Sequence, residues 1–385
     1  MSNTQLSTKF VPNDYEVFAG LDVDKKSIAA TFLDHSGQMK QIQMPSNSQQ
    51  LINYARNRYP DKKIAFAYET GPTGFGLYDD LSNENYFCMV TSASSVPTEP
   101  GKRVKTNRID SKKLAENLRG GQLRGIHVPT ESYRELRHLI QLRDTFAQQS
   151  KATKSRIKSL LLLNGIPFPE DNEKWTRAAI REIQNLECSE AIKFHLDRLI
   201  LSLKFFHSNV LETTRNIRAF CKHNKEISTN IQYITSIPGI GFITASQLIA
   251  QIGDWRKLYR FDQIGSFLGL VPCERSTGDD VHRGSITKMG HTRLRNKLIQ
   301  CAWTAIRRDS QLQKFYDTIY SRNRTSYGSQ KAITAVARKL TTRIYAVLTQ
   351  QRNYEIRNEP DVKTLQAKEK IALPKGKTRV IIEHS

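Results

Sequence analysis

Short apolar segments alternate with turns over the first 91 residues, and this pattern constrains the fold more than any other feature of the chain. Strands are predicted at residues 17–23, 27–32, 63–68 and 86–91, and helices at 48–59 and 75–83. The order strand, strand, helix, strand, helix, strand is typical of an α/β domain with a mixed sheet. We therefore expect a mixed α/β domain at the start of the chain.

Acidic side chains stand where two of these predicted strands end. Asp22 lies at the end of the first strand, and Glu69 directly follows the third. Open sheets place ligand sites at strand ends. A helix predicted to begin at Asn107 carries Asp110 on the same face, because residues three apart are neighbours on a helix surface. Carboxylate oxygens in this arrangement suit Mg²⁺, so the three acids are candidate metal ligands.

Positive charge is concentrated in the part of the chain that follows residue 100. Residues 1–100 contain 8 Lys+Arg and 11 Asp+Glu, whereas the whole chain has a formal net charge of +22 at pH 7. A basic surface of this size most simply binds a polyanion, and nucleic acid is the commonest one inside cells. Ribosome-like charge, or charge that only improves solubility, is the alternative.

Several classes of protein are excluded by what the sequence lacks. No apolar run approaches the roughly 18 residues of a membrane span, and the polar start has no charged-then-apolar leader. The five cysteines are odd in number and form no Cys-x-x-Cys pair, so neither a disulfide framework nor a zinc site is encoded. We expect a cytoplasmic protein with no membrane partner.

The middle of the chain has a helical pattern over residues 131–164 and 180–223. The second stretch carries an apolar seam in alternating steps of four and three residues, formed by Ile192, Leu196, Leu199, Leu203, Phe206, Val210, Thr213, Ile217 and Phe220. Such a seam predicts a long helical coiled coil. An antiparallel hairpin within one chain and a dimerising coiled coil both satisfy the pattern.

A Pro-Gly-x-Gly turn follows the coil and precedes a helical run at residues 242–252. Its glycines, Gly239 and Gly241, expose backbone N–H groups that can hold a phosphate without reading bases. The segment resembles a helix-hairpin-helix element, and a generic turn between helices is the alternative. We expect Gly239 and Gly241 to contact nucleic acid.

Three acidic motifs resemble a specific family. They are Gly20-Leu21-Asp22-Val23, Tyr68-Glu69-Thr70-Gly71 and Lys105-Thr106-Asn107-Arg108-Ile109-Asp110-Ser111. Together they resemble the RuvC-like, RNase H-fold domain of the DEDD transposases, which comprise insertion-sequence-110-type transposases and the related Piv-type DNA invertases. The resemblance implies metal binding at Asp22, Glu69, Asn107 and Asp110. Asn107 departs from the pattern, because an amide is neutral and a weaker ligand than a carboxylate.

Residues 267–278, 283–291 and 294–295 resemble the C-terminal domain of the same transposases, which supplies a nucleophilic serine just before a glycine. In the triplet Ser-Thr-Gly we favour Ser276 as the nucleophile over Thr277, which directly precedes the glycine, and Ser285 is the third candidate. A flexible loop would let the hydroxyl approach a phosphodiester. The basic residues expected to neutralise the phosphate are Arg275, Arg283, Lys288, Arg293 and Arg295.

The predicted organisation has five parts. They are a disordered start (1–15), a RuvC-like DEDD domain (16–128), a helical coiled-coil region (129–228), a mainly helical C-terminal transposase domain (229–350) and a charged tail (351–385). An alcohol needs a base or a metal to become a good nucleophile, and Mg²⁺ in the first domain supplies this if the two domains meet.

The resemblance implies a transposase or site-specific recombinase that cuts and rejoins DNA through a phosphoserine link. It also implies Mg²⁺, a homo-oligomer (dimer or tetramer), and in some members a noncoding bridge RNA that specifies the DNA. A Holliday-junction-type nuclease with water as nucleophile is one alternative. A non-catalytic nucleic-acid-binding protein derived from a transposase is the other, and the neutral Asn107 is its main support.

Overall fold

The computed structural model describes most of the chain and divides it into two compact units, one ending at Val128 and one beginning at Pro129. The described residues are 10–92, 96, 106–169, 175–257, 260, 262–277, 280–322 and 324–356. Most of the predicted disordered start and of the charged tail therefore lies outside the described residues. Across the described part, the helices are all too short or too polar to span a membrane.

The first unit is built on a five-stranded mixed sheet. Its strands are β1 (Val17–Val23), β2 (Ser27–Asp34), β3 (Met39–Pro45), β4 (Ile64–Glu69) and β5 (Phe87–Thr91), in the order β3-β2-β1-β4-β5. Antiparallel pairing joins β1 to β2 and β2 to β3, while β4 is parallel to both β1 and β5. The predicted mixed α/β fold is confirmed, and the strand order is consistent with a DEDD nuclease-like domain.

Helices cover both faces of this sheet. Helices α1 (Ser48–Arg58) and α2 (Gly76–Asn83) pack on one face, and α3 (Asn107–Arg119) packs on the other. Side chains alternate along β1, so Ala19 and Leu21 join the core beneath α1, while Phe18 joins the core beneath α3. The sheet is therefore buried on both sides, which explains why its central strands are almost continuously apolar.

Helix α3 crosses β1 at Gly20 with no room for a side chain between them. A Cβ atom on Gly20 would lie 2.1 Å from the Ser111 carbonyl oxygen and 2.3 Å from the Ala115 nitrogen. Beside this crossing the buried hydroxyls of Thr31 and Ser111 are hydrogen-bonded at 2.8 Å. The Gln41 amide donates to the Thr31 hydroxyl. These contacts fix the first turns of α3 over the strand that ends in the first candidate acid.

The second unit begins with two long helices, α4 (Glu131–Leu163) and α6 (Glu190–His223), and the short α5 (Arg177–Gln184) between them. The Arg143 guanidinium in the first half of α4 donates to Thr214 near the end of α6. Ile157 near the end of α4 shares a core cluster with Leu196 at the start of α6. The helices therefore pair antiparallel within one chain. Dimerisation through the coil stays a prediction.

The described remainder of the second unit is mainly helical and carries one strand pair. Its elements are α7 (Lys225–Thr235), α8 (Phe242–Ile252), α9 (Asp262–Phe267), β6 (Pro272–Thr277), β7 (Asp280–Ile286), α10 (Thr292–Ala305), α11 (Ser310–Arg322) and α12 (Gly328–Gln350). The segment around Ser276 was expected to be a flexible loop, and this expectation is wrong. It forms an antiparallel hairpin, because the backbone groups of β6 and β7 pair with each other.

Short parts of both predicted terminal segments are ordered. Phe10 stacks on Phe87 of β5 at 5.0 Å between ring centroids. After α12, the Tyr354 hydroxyl donates to the buried carboxylate of Asp309 at 2.8 Å. The same carboxylate is paired with Arg343. Tyr354, in the short described segment after α12, is thus held against the helical core by the buried Asp309 and by a backbone N–H bond to the Ser236 hydroxyl.

We predict that Gly20→Ala destabilises the first unit, because the added methyl group would overlap the backbone of α3. Overpacking of this kind costs about 1–3 kcal/mol, and here the obstruction is backbone that cannot rotate away. Gly76→Ala is the matched control, since a Cβ atom on Gly76 meets nothing within 4 Å. Urea denaturation should show a lower midpoint for Gly20→Ala alone. Equal midpoints would contradict the proposed crossing.

Candidate functional site

Two of the predicted metal ligands leave the sheet side by side. Leu21 of β1 is the parallel partner of Tyr68 of β4, so Asp22 and Glu69 occupy the next position on adjacent strands. Since side chains alternate along a strand, Asp22 shares the α3 side of the sheet with Gly20. Glu69 lies on that side too, because alternation places it with Ala67, which packs in the core beneath α3. The sheet therefore directs both carboxylates toward the same face.

Helix α3 brings Asp110 to the same region. The Thr106 side chain caps the helix by accepting a hydrogen bond from the Ile109 N–H at 3.3 Å. Asp110 lies in the first turn, where the helix dipole favours an acid. The pKa of Asp22 is raised, first by burial, then by the negative charges of Asp110 and Asp24. Asp22 and Asp110 are thus close enough to repel each other.

The donor set fits a divalent cation in kind. Asp22, Glu69 and Asp110 offer hard oxygen ligands, and Asn107 at the exposed start of α3 adds an amide oxygen. Carboxylates that repel one another are stabilised in their ionised form by a cation between them. Among the described residues, however, no three acidic, histidine or cysteine side chains approach closely enough to form a metal-binding group. The fold places Asp110 close to Asp22, and the strand register places Glu69 beside Asp22.

The predicted nucleophiles lie at the far end of β6. The backbone of Ser276 pairs with that of Val281, and Thr277 pairs with Asp280. The side chains of Arg275, Ser276, Thr277 and Arg283 lie outside the described part of the structure. The hairpin therefore defines the strand that carries both hydroxyl groups.

The predicted phosphate-binding residues have unequal access to solvent. Lys288 and Arg293 are exposed, whereas Arg295 is only 7% exposed. The Arg295 guanidinium donates to the carbonyl oxygens of Leu268 at 2.9 Å and Lys288 at 3.2 Å. Its hydrogen-bonding groups are thus engaged with the protein itself.

The two glycines of the Pro-Gly-x-Gly turn occupy different environments. Gly239 has a positive φ of 89°, and a Cβ atom there would lie 2.5 Å from the Cys301 carbonyl oxygen of α10. Gly241 caps α8, and a Cβ atom on it would meet nothing within 4 Å. Gly239 therefore permits close packing of the turn on α10. Gly241 leaves the start of α8 accessible.

One polar cluster was not predicted from the sequence. The Lys297 ammonium of α10 donates to Asp144 of α4 at 3.1 Å and to Gln247 of α8 at 2.6 Å. These side chains line or adjoin a cavity of about 350 Å³ that His291 and Arg293 also border. Burial is the main reason why the pKa of Lys297 is lowered. The sequence carries no signal for this cluster, because Asp144, Gln247 and Lys297 lie between 50 and 153 residues apart.

We predict that Asp22→Asn stabilises the metal-free protein at neutral pH. A raised pKa means that the ionised carboxylate opposes folding above its unfolded pKa of about 3.9 and that this cost is absent below it. The increase in the free energy of unfolding should be below about 1 kcal/mol, because Asp22 is partly exposed and solvent screens its charge. Thermal unfolding with a chelator from pH 4 to pH 8 measures it. The exposed Asp61→Asn is the control, and an equal effect of both substitutions would contradict the prediction.

Comparison with known families shows two matches that together include every candidate residue. A family model for DEDD transposases of the IS110 type, described as Transposase, matches residues 19–165. A second, described as Transposase IS116/IS110/IS902 family, matches residues 231–317. The first range contains the candidate acids, and the second contains the β6–β7 hairpin.

Individual transposases are similar over most of the chain. The protein y4qE of Sinorhizobium fredii (strain NBRC 101917 / NGR234), named as a transposase, is 31% identical over 296 residues, which are 76% of this chain and 72% of that protein. The transposase for insertion sequence element IS1533 of Leptospira borgpetersenii is 24% identical over 75% of this chain and 85% of its own length. That for IS1111A of Coxiella burnetii (strain RSA 493 / Nine Mile phase I) is 26% identical over 65% and 68%. The chain therefore belongs to the IS110 family of transposases.

Proposed function

We propose that this transposase cuts and rejoins DNA by transesterification at Ser276, assisted by a Mg²⁺ site at Asp22, Glu69 and Asp110. The observation that carries the proposal is the placement of the acids: Asp22 follows Leu21 of β1 beside Glu69 of β4, and Asp110 in the first turn of α3 is close enough to contribute to the raised pKa of Asp22. A fold gains nothing in stability from placing two carboxylates together, so their arrangement points to a cationic ligand.

Mg²⁺ held there would supply positive charge to the scissile phosphate and lower the pKa of a nearby alcohol. The protein's own contribution is to hold the donors in place. The buried Thr31–Ser111 hydrogen bond and the crossing at Gly20 keep Asp110 near Asp22. Asn107 contributes an amide oxygen from the exposed start of α3.

In the proposed reaction the Ser276 Oγ atom forms a bond to phosphorus, and the bond from phosphorus to a deoxyribose oxygen breaks. The serine loses its proton, and the released sugar oxygen gains one. The phosphodiester is preserved as a phosphoserine link, so a sugar hydroxyl of another strand can attack it and restore the serine. Thr277 is the alternative nucleophile. The basic side chains proposed to neutralise the phosphate are Arg275, Arg283, Lys288 and Arg293.

DNA is the proposed substrate, and a second copy of the chain is a proposed partner. Exchange between two duplexes requires several strand cuts, whereas each chain carries a single Ser276, so a dimer or tetramer is needed. The outer face of α6 exposes Phe194, Leu201 and Phe205 at 66%, 56% and 58%, opposite the buried Leu196 and Leu203. Spacings of seven and four residues suit pairing with the same helix of another copy. A noncoding bridge RNA is a further candidate partner, favoured by the basic charge beyond residue 100.

We predict that Ser276→Ala abolishes a covalent protein–DNA adduct. DNA carrying the ends of the element, nicked near the cleavage point to trap the intermediate, is incubated with the full chain and Mg²⁺ and then denatured. The wild type and Thr277→Val should give an adduct that survives denaturation. Loss of the adduct in Thr277→Val alone would assign the reaction to Thr277.

Two outcomes would favour the other functions. Free cleaved ends with undiminished activity in Ser276→Ala would indicate a metal-dependent nuclease of the Holliday-junction type that uses water. Transposition in cells that is unaffected by Asp22→Ala would indicate a non-catalytic nucleic-acid-binding protein.

We predict that Asn107→Asp tightens Mg²⁺ binding, because it adds a fourth carboxylate at the exposed start of α3, where the helix dipole also favours an acid. Titration calorimetry should show an affinity gain of several-fold. Asp110→Asn should instead weaken binding. The control is Asn117→Asp in the last turn of the same helix, which adds equal charge away from the site. Equal gains for Asn107→Asp and Asn117→Asp would show that only the net charge matters.

A further inference from the structure

Two loops interlock at the base of the β6–β7 hairpin. One spans residues 267–271 before β6, the other spans residues 287–291 after β7, and we call the pair the clasp. A Cβ atom on Gly290 would lie 2.3 Å from the Phe267 carbonyl oxygen, and one on Gly269 would lie 2.6 Å from the Met289 carbonyl oxygen. Both glycines also have positive φ angles, of 139° and 65°. The loops can approach this closely only because both positions are glycine.

Backbone hydrogen bonds join the two loops. The Thr287 N–H donates to the Val271 carbonyl at 2.9 Å, and the His291 N–H donates to the Phe267 carbonyl at 3.1 Å. The clasp is therefore a paired structure that continues the hairpin toward the helices. It determines where β6 begins and where the chain enters α10.

Arg295 secures both sides of the clasp with one side chain. Its Nη1 atom donates to the Leu268 carbonyl of one loop and to the Lys288 carbonyl of the other. Its Nη2 atom donates to the Thr292 hydroxyl at 3.1 Å. A planar guanidinium can hold several acceptors in fixed directions, which a lysine ammonium does less well. The buried charge is thus held by backbone carbonyls.

The hairpin depends on this base for its direction. Its two strands pair only with each other within the described residues. Ser276 is four residues beyond Pro272, which at about 3.3 Å per residue places it about 13 Å along the strand. A tilt of about 5° at the base would therefore move Ser276 by about 1 Å. A displacement of that size can lower a reaction rate on the order of a hundredfold.

We infer that Arg295 is a positioning residue, which fixes the hairpin that carries Ser276 instead of binding the phosphates of nucleic acid. This inference rests on the proposed function, because it assumes that Ser276 is the nucleophile. It assigns Arg293 and Arg295, two residues apart on α10, to different tasks. Arg293 is exposed and free to meet a phosphate, whereas Arg295 acts through the clasp.

The test compares Arg295→Ala, Arg295→Lys and Arg293→Ala in the full chain with Mg²⁺ and the nicked DNA substrate. DNA affinity is measured across a range of salt concentrations, and the rate of adduct formation is measured at saturating DNA. Arg295→Ala should keep its affinity within about twofold and its salt dependence, while its rate falls at least tenfold. Millimolar guanidinium should restore part of that rate, and Arg295→Lys should be intermediate. Arg293→Ala should lose affinity and show a weaker salt dependence.

Three results would overturn the inference. The first is a loss of affinity and salt dependence in Arg295→Ala that matches Arg293→Ala, and the second is an unchanged adduct rate. Either result with a wild-type adduct present leaves the proposed function intact. The third is the absence of any wild-type adduct, which overturns both. Should Arg295→Ala fail to fold, Thr292→Val removes one acceptor of the same guanidinium and must lower the rate without lowering affinity.

Discussion

The first unit depends on the contact between α3 and β1 at Gly20. The helix backbone occupies the space that any side chain at this position would fill. The contact brings the Ser111 carbonyl against the strand, so the adjacent Asp110 lies near the strand end at Asp22. The buried Thr31–Ser111 hydrogen bond adds a directional constraint that apolar packing alone does not provide.

This arrangement of acids lowers stability at the site that we propose for metal binding. The sheet beneath the acids is apolar and buried on both faces. The stability that it provides can offset the unfavourable free energy of holding these carboxylates close together. The pKa of Asp22 is raised because burial and the charge of Asp110 both disfavour its ionised form. Sites of this kind are common where function requires charge that folding does not. A neutral residue at position 107 reduces the accumulated negative charge.

The sequence allowed prediction of elements whose burial is uniform along their length. The central strands β1 and β4 are buried almost throughout, so their apolar runs were visible, as were the acids at their ends. Strand β3 was missed, because it lies at the sheet edge and its side chains are mostly exposed. The β6–β7 pair was expected to be a loop, since its polar residues carry no apolar alternation. Its strands form through backbone pairing, which leaves no pattern in the side-chain sequence.

The sequence shows which residues are charged, but it does not show whether a charged side chain faces solvent or the protein interior. Arg293 and Arg295 are equivalent in composition and local pattern, yet one is exposed and the other bonds to carbonyls of two loops that are twenty residues apart. The same combination of contacts occurs in both units. A glycine allows two backbones to touch, a buried polar side chain fixes their orientation, and a candidate reactive residue lies a few residues beyond. Rigid backbone contacts of this kind can hold candidate reactive groups within the narrow tolerance that the proposed transesterification would require.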